Sequence, residues 1–302
     1  MEWIADFAPV VAAHHQPTAW PAVLVLDSLT FWWTSSGDWP KTQLYSVLAA
    51  YGYDEDGRNG RLWRLEAFPN LNAGAWQSFF GSLIGTPTSI VADEDAAIKL
   101  AIIQHWGEDV WLDSYHSCEY HLHTNGMAIL NRVPDSTHLR TLWRTALQSP
   151  DGWAAFEAAV NVRPGNLLIK NWVSQHGDQV RRQSIRREQI PPVFSNGALE
   201  ASLASIRDNL GPRSFAYRNR TRMNLLLELT RLGMTRADNL IDYAAAIRAH
   251  LELHHGRPRR TYREVYDPRL DAAGKPARNS LWSDKAIHRL HSGELRGELS
   301  GY

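Results

Sequence analysis

The chain has 302 residues, 44% of them hydrophobic, and its 32 basic and 32 acidic side chains cancel to a formal charge of zero. That much apolar material excludes a mostly disordered chain and suffices for one large core or two smaller ones. The single cysteine, Cys118, excludes an intrachain disulfide, and no run approaches the roughly 18 consecutive apolar residues that would span a bilayer.

The first residues, Met1 to Asp6, have neither the basic end nor the long apolar run of a signal peptide, so the expected compartment is the cell interior. The zero charge hides a segregation. Residues 1–177 carry 10 basic against 18 acidic side chains, residues 178–263 carry 16 against 8, and the remainder 6 against 6. An acidic half followed by an arginine-dominated segment fits an enzyme that binds a polyanion beside a cation site.

In chain order, residues 23–26 read as a buried strand. Residues 43–53 (QLYSVLAAYGY) read as a second strand that ends at the Asp54 to Gly57 turn signal, and residues 61–67 as an antiparallel return. Apolar residues at Ala75, Trp76, Phe79, Phe80, Leu83 and Ile84 predict a helix over 73–84. Residues 89–92 read as a fourth strand, 95–106 as a helix, 109–112 as a short fifth strand and 115–130 as a helix. Three antiparallel strands followed by helix, strand, helix and strand is the order of an α/β, ribonuclease H-like mixed sheet flanked by helices. Its last helix is displaced by residues 126–192. There Trp143, Trp153 and Trp172 sit in helical patterns, and the reading is an all-helical insertion with these indoles in its core. Helices are expected over 197–210, 220–232 and 239–254.

The expected organisation is an N-terminal remnant (1–20), a catalytic core in two parts (21–125 and 193–255) separated by the insertion (126–192), and a basic, weakly ordered tail (256–302).

Three acids end or open these elements. Asp27 closes the apolar run Ala22 to Leu26, Asp93 closes Ser89 to Ala92, and Glu200 lies near the start of the 197–210 helix. A polar group at the end of a buried strand needs a cation or several donors, and two strand-end carboxylates facing a helical one can share divalent ions. Asp95 is well placed as a helix N-cap, leaving Asp93 nearest the strand end. Glu200 falls one turn past Asn196, so both can face one cleft. Cys118 and His121, one turn apart, read as packing near the site rather than as a four-ligand zinc. Arg207, Arg213, Arg218, Arg220 and Arg222 flank Phe215 and Tyr217, a mixture suited to a phosphate backbone. Arg186 and Arg187, with Arg181 and Arg182, form a second such cluster.

Residues 23–130, with Asp27, then IVADEDAAIKLAI at 90–102, then Cys118, His121 and Asn125, resemble the catalytic domain of bacterial mutator-type insertion-sequence transposases. The run SNGALEASLASIRDNLGPRSFAYRNRTRMNLLLEL at 195–229 is similar to the segment that carries the third acid in these enzymes, so the likeness covers residues 20 to about 235. It implies a DDE-type nuclease and strand transferase with Asp27, Asp93 and Glu200 as catalytic and metal-binding residues. Two Mg²⁺ ions, replaceable by Mn²⁺, would serve both cleavage at element ends and 3′-hydroxyl attack on target DNA. Asn196 would stand four residues before the catalytic Glu and help hold DNA. The further implications are a homodimer or higher assembly on DNA and a cytoplasmic, nucleoid-associated location in a bacterium. Two departures stand out. Only 26 residues precede Asp27, where such enzymes carry an end-binding module, so a separate module is expected; and Leu203 occupies a position where an Asn is frequent. Two other readings stay open: a nuclease of the same fold that cuts without joining, and a non-catalytic DNA-binding relic.

Overall fold

The computed structural model describes residues 8–10, 15–33, 42–162, 167–211, 220–235 and 240–253. The expectations for Arg213, Phe215, Tyr217, Arg218 and the 256–302 tail lie outside these residues. The described chain is a mixed α/β structure around one five-stranded sheet of order β3-β2-β1-β4-β5. Its strands are β1 (Val23–Trp33), β2 (Thr42–Tyr53), β3 (Arg61–Phe68), β4 (Ser89–Ala92) and β5 (Tyr115–Ser117). The first three form an antiparallel meander, whereas β4 and β5 run parallel to β1.

The helices are α1 (Ala73–Phe80), α2 (Ala96–Trp106), α3 (Glu108–Asp113), α4 (Glu119–Leu130), α5 (Thr137–Ala146), α6 (Pro150–Asn161), α7 (Leu167–Arg186), α8 (Gly197–Leu210), α9 (Arg220–Thr235) and α10 (Leu240–Leu253). Side chains alternate across a strand, and the two faces of β1 bury different sets. Leu24 and Leu26 pack with Trp76, Phe79 and Phe80 of α1, Ile98 and Ile102 of α2, and Trp111 of α3. Val23, Val25 and Phe31 pack on the other face with Leu199, Leu203 and Ile206 of α8 and Met223 and Leu227 of α9. The same period of two sends Asp27 toward α8.

Three elements differ from the sequence reading. Strand β1 does not end at Asp27 but runs on to Trp33, because its ladder with β2 continues through Trp33↔Thr42. An apolar-run criterion stops at the first charge; cross-strand pairing does not. Residues 109–112 are not a strand. Gly107, at φ 103°, ends α2 and starts α3 with Glu108 and Asp109 in its first turn. The fifth strand is instead Tyr115–Ser117, at the expected start of the next helix, which begins at Glu119. Helix α1 stops at Phe80, where the Gly81 N–H returns to the Gln77 and Phe79 carbonyls.

Strand β5 is an edge, and α7 satisfies its backbone with side chains. The Ser117 N–H donates to Gln183 Oε1 at 3.1 Å, and Gln179 Nε2 and Arg186 donate to the Tyr115 carbonyl. A third apolar cluster joins α4 to α5, α6 and α7 through Leu122, Trp143, Trp153, Phe156, Ile169 and Trp172, so the three indoles are core as expected. Among the described residues no helix is long and apolar enough to cross a membrane.

Helix α4 seats on this cluster at Gly126, where an added Cβ would lie 2.4 Å from the Trp143 ring. Replacing a helical Gly with Ala gains up to about 1 kcal/mol in propensity, but overpacking against a fully buried indole outweighs it. Gly126→Ala should therefore lower stability by about 1–2 kcal/mol in urea unfolding; an unchanged or higher midpoint would contradict this seating.

Candidate functional site

The site forms where the parallel ladder between β1 and β4 ends. Val23, Leu24 and Val25 pair with Ser89, Ile90 and Val91, so two residues further on Asp27 and Asp93 stand side by side. Both continue the alternation of Val25 and Val91, whose side chains belong to the α8 face. Glu200, in the first turn of α8, faces them. Asp95, by contrast, caps α2 by accepting from the Ala97 N–H at 2.7 Å, as expected.

Asn196 ties the two strand acids together. It is the N-cap residue of α8, but its side chain makes no cap bond. Its Nδ2 instead donates to Asp27 Oδ2 at 3.4 Å and to Asp93 Oδ1 at 3.3 Å, and its Oδ1 accepts from the Cys118 thiol at 3.2 Å. At 1% exposure this amide is an internal brace, where the sequence reading had it touching DNA. Cys118 is itself the N-cap residue of α4 without a side-chain cap bond, and its N–H donates to the Ala92 carbonyl at 2.9 Å. The N-termini of α4 and α8 thus both meet at the carboxylates, where their dipoles favour negative charge. The Glu119 N–H, bonded to the Phe194 carbonyl at 2.8 Å, holds these two ends together.

His121, in the first turn of α4, bridges the remaining gap. Its Nδ1 lies 2.6 Å from Asp93 Oδ1 and its Nε2 3.4 Å from Glu200 Oε1. Sequence reasoning placed His121 near the site only as packing. Its one-turn offset from Cys118 was visible, but the arrival of Asp93 and Glu200 on either side of one ring depends on tertiary pairing.

Electrostatics set the chemistry. Burial raises Asp27 to about 6, with the Ser28 N–H at 2.7 Å opposing and Asp93 and Glu200 adding to the rise. Burial also raises Asp93, against the lowering influence of His121. Three carboxylates in one half-buried cleft call for positive charge. Carboxylate oxygens are the donors a hard divalent cation prefers, so the donor type fits such an ion, but the three acids do not close on one point: the His121 ring stands between Asp93 and Glu200. Burial pushes the Cys118 thiol up, which disfavours its thiolate in the absence of a cation.

Most described arginines expected to hold DNA are engaged within the protein. Arg220 donates to the Ala67 carbonyl at 2.7 Å, pairs with Glu66 and covers the Phe68 ring. Arg187 pairs with Glu119 at 3.0 Å and covers Phe194, while Arg186 donates to the Tyr115 carbonyl. Arg222 is partly buried on α9. Arg207 keeps an exposed guanidinium, 3.7 Å from Asp208.

A carboxyl whose folded pKa lies above its unfolded value binds more protons when folded, so its contribution to stability falls as pH rises through that window. For Asp27 the window runs from 3.8 to about 6. In the presence of chelator, Asp27→Asn should be more stable than the parent at pH 8 by on the order of 1–2 kcal/mol, the difference closing near pH 4. Urea titrations at the two pH values measure this, and equal stabilities at pH 8 would contradict the burial argument. A scan against models of known protein families and a search of curated proteins both find no match to this chain.

Proposed function

We propose that the chain is a DDE-type DNA transposase with a ribonuclease H-like core, cutting phosphodiester bonds at element ends and joining the freed 3′-hydroxyl to target DNA. The observation that carries this reading is the meeting of Asp27, Asp93 and Glu200, acids far apart in sequence, in one cleft at the end of a parallel strand pair. The strand order and direction, three antiparallel strands followed by two parallel ones, support the fold half of the proposal. The resemblance of residues 20 to about 235 to mutator-type insertion-sequence transposases supports the chemistry.

In this reading Asp27, Asp93 and Glu200 hold two Mg²⁺ ions, or Mn²⁺ in their place. Bound there, the ions supply Lewis-acid stabilisation of the phosphate and activation of an attacking oxygen. The protein's own contribution is position. Asn196 fixes the mutual orientation of Asp27 and Asp93, His121 keeps Glu200 in register with Asp93, and the two helix N-termini offset their negative charge. Cleavage and joining are both in-line transfers to a phosphorus and need one geometry, so one site serves both. Arg207, with Arg213 and Arg218, would meet the DNA backbone, and the active form would be a dimer or larger on DNA.

Asp27→Asn should retain the circular-dichroism spectrum and melt cooperatively, yet lose Mg²⁺-supported cleavage and strand transfer together by about three orders of magnitude or more. Strand transfer assayed on a pre-cleaved end separates the two reactions. Retention of either reaction by the variant overturns the role of Asp27, and cleavage without joining by the parent chain overturns the transposase reading in favour of a nuclease.

A further inference from the structure

We propose that Asp93, Cys118 and His121 form a binding site for a thiophilic transition ion of the zinc class, and that filling it disables the three-carboxylate site by capturing Asp93. The first clause stands without the phosphodiester reading; only the second rests on it.

The carboxylate oxygen, thiol sulfur and imidazole nitrogen all lie within 4.8 Å of one another, close enough for small side-chain shifts to bring all three to one ion at bonds of roughly 2.0–2.3 Å. Two of the donors are placed by one helix start, since Cys118 is the N-cap residue of α4 and His121 lies in its first turn. The third leaves the end of β4, to which the Cys118 N–H is hydrogen-bonded. The surroundings also match a metal centre rather than a simple polar contact. A ligating imidazole characteristically gives its second nitrogen to a carboxylate, and His121 Nε2 faces Glu200 at 3.4 Å while Nδ1 faces Asp93. Asn196 supports Asp93 from the side as a second hydrogen-bonding neighbour. A cavity of about 380 Å³, lined by Asp93, Cys118, His121, Asn125 and His176, adjoins the three donors and leaves room for a water as fourth ligand.

The donor set is selective. Thiolate and imidazole favour Zn²⁺, Co²⁺ and similar ions, whereas Mg²⁺ prefers oxygen alone. On binding, a metal–sulfur bond replaces the S–H bond and the proton passes to solvent, with no change of oxidation state. The thiol can then no longer donate to Asn196 Oδ1. The brace that aims the Asn196 amide at Asp27 and Asp93 is lost at the same moment that Asp93 is taken, which is why the two kinds of ion exclude one another.

The test is a Co²⁺ titration of the full chain, stripped with chelator, followed by absorption. Because Cys118 is the sole cysteine, a sulfur-to-cobalt charge-transfer band in the near ultraviolet has one assignable source. The expected result is a band that saturates at one ion per chain and disappears when Zn²⁺ is added. Cys118→Ser should lose the band, and His121→Ala should weaken Co²⁺ binding by roughly tenfold or more, both with unchanged far-ultraviolet circular dichroism. Co²⁺ uptake by the parent chain without a sulfur band, or no uptake, overturns the site. The shut-off clause is read separately. Zn²⁺ should suppress Mg²⁺-supported DNA cleavage at concentrations that saturate the band, and cleavage persisting at saturation overturns that clause alone. Absence of cleavage in the Mg²⁺ control fails the phosphodiester reading and leaves the band to decide the binding claim.

Discussion

The parallel ladder between β1 and β4, three residue pairs long, is the constraint on which the site depends. It sets Asp27 beside Asp93, and the two-residue period of each strand turns both toward α8 rather than into the aromatic core formed with α1, α2 and α3. A slip of one residue in that register would send Asp93 to the opposite face from Asp27. The ladder is buried on both faces by apolar side chains, and this burial specifies the register.

Juxtaposed carboxylates repel one another, and the surrounding structure answers with donors and dipoles rather than with a buried arginine. Two helices begin at the cluster, and neither N-cap side chain serves its own helix. Asn196 forgoes a capping bond, worth about 1 kcal/mol where it occurs, and turns its amide to the two acids, while the Cys118 thiol turns to Asn196. Departures of this kind from local preference are characteristic of functional or strained sites. The burial that raises Asp27 to about 6 belongs to the same pattern: the cleft holds its carboxyl groups against their ordinary preference to ionise.

Much of this was legible in the sequence, and the exceptions have physical causes. The β-rich 43–53 and 61–67 runs, the four-residue β4, the Asp95 cap and the α8 boundaries follow from composition and spacing alone, because local preference and tertiary context agree there. The fifth strand was misplaced because Val110, Trp111 and Leu112 have β-prone side chains, whereas Gly107 and the acidic first turn make them helical. Strand β5, which contains the buried polar residues His116 and Ser117, carries little apolar signal of its own and depends on α7 to complete its hydrogen bonds. In the site, Asp93 follows the end of β4 and Glu200 lies in the first turn of α8, as read from the sequence, whereas Asp27 marks only the end of an apolar run and lies inside β1. The bridging part played by His121 and the internal part played by Asn196 could not be read there, since both arise from contacts between elements far apart in sequence. Arg187 and Arg220 show what a run of positive charge leaves unsaid: the carbonyl group, Glu66, Glu119 and the aromatic rings that engage them across the fold.

The central claim, that Asp27, Asp93 and Glu200 together grip divalent cations, is tested most directly by a crystal of the chain soaked in Mn²⁺ and measured at the manganese absorption edge. The account predicts anomalous density in contact with the Asp27 and Asp93 carboxylates, with Glu200 drawn into the coordination sphere. A well-ordered cleft with no anomalous density between those acids at saturating Mn²⁺ would contradict it.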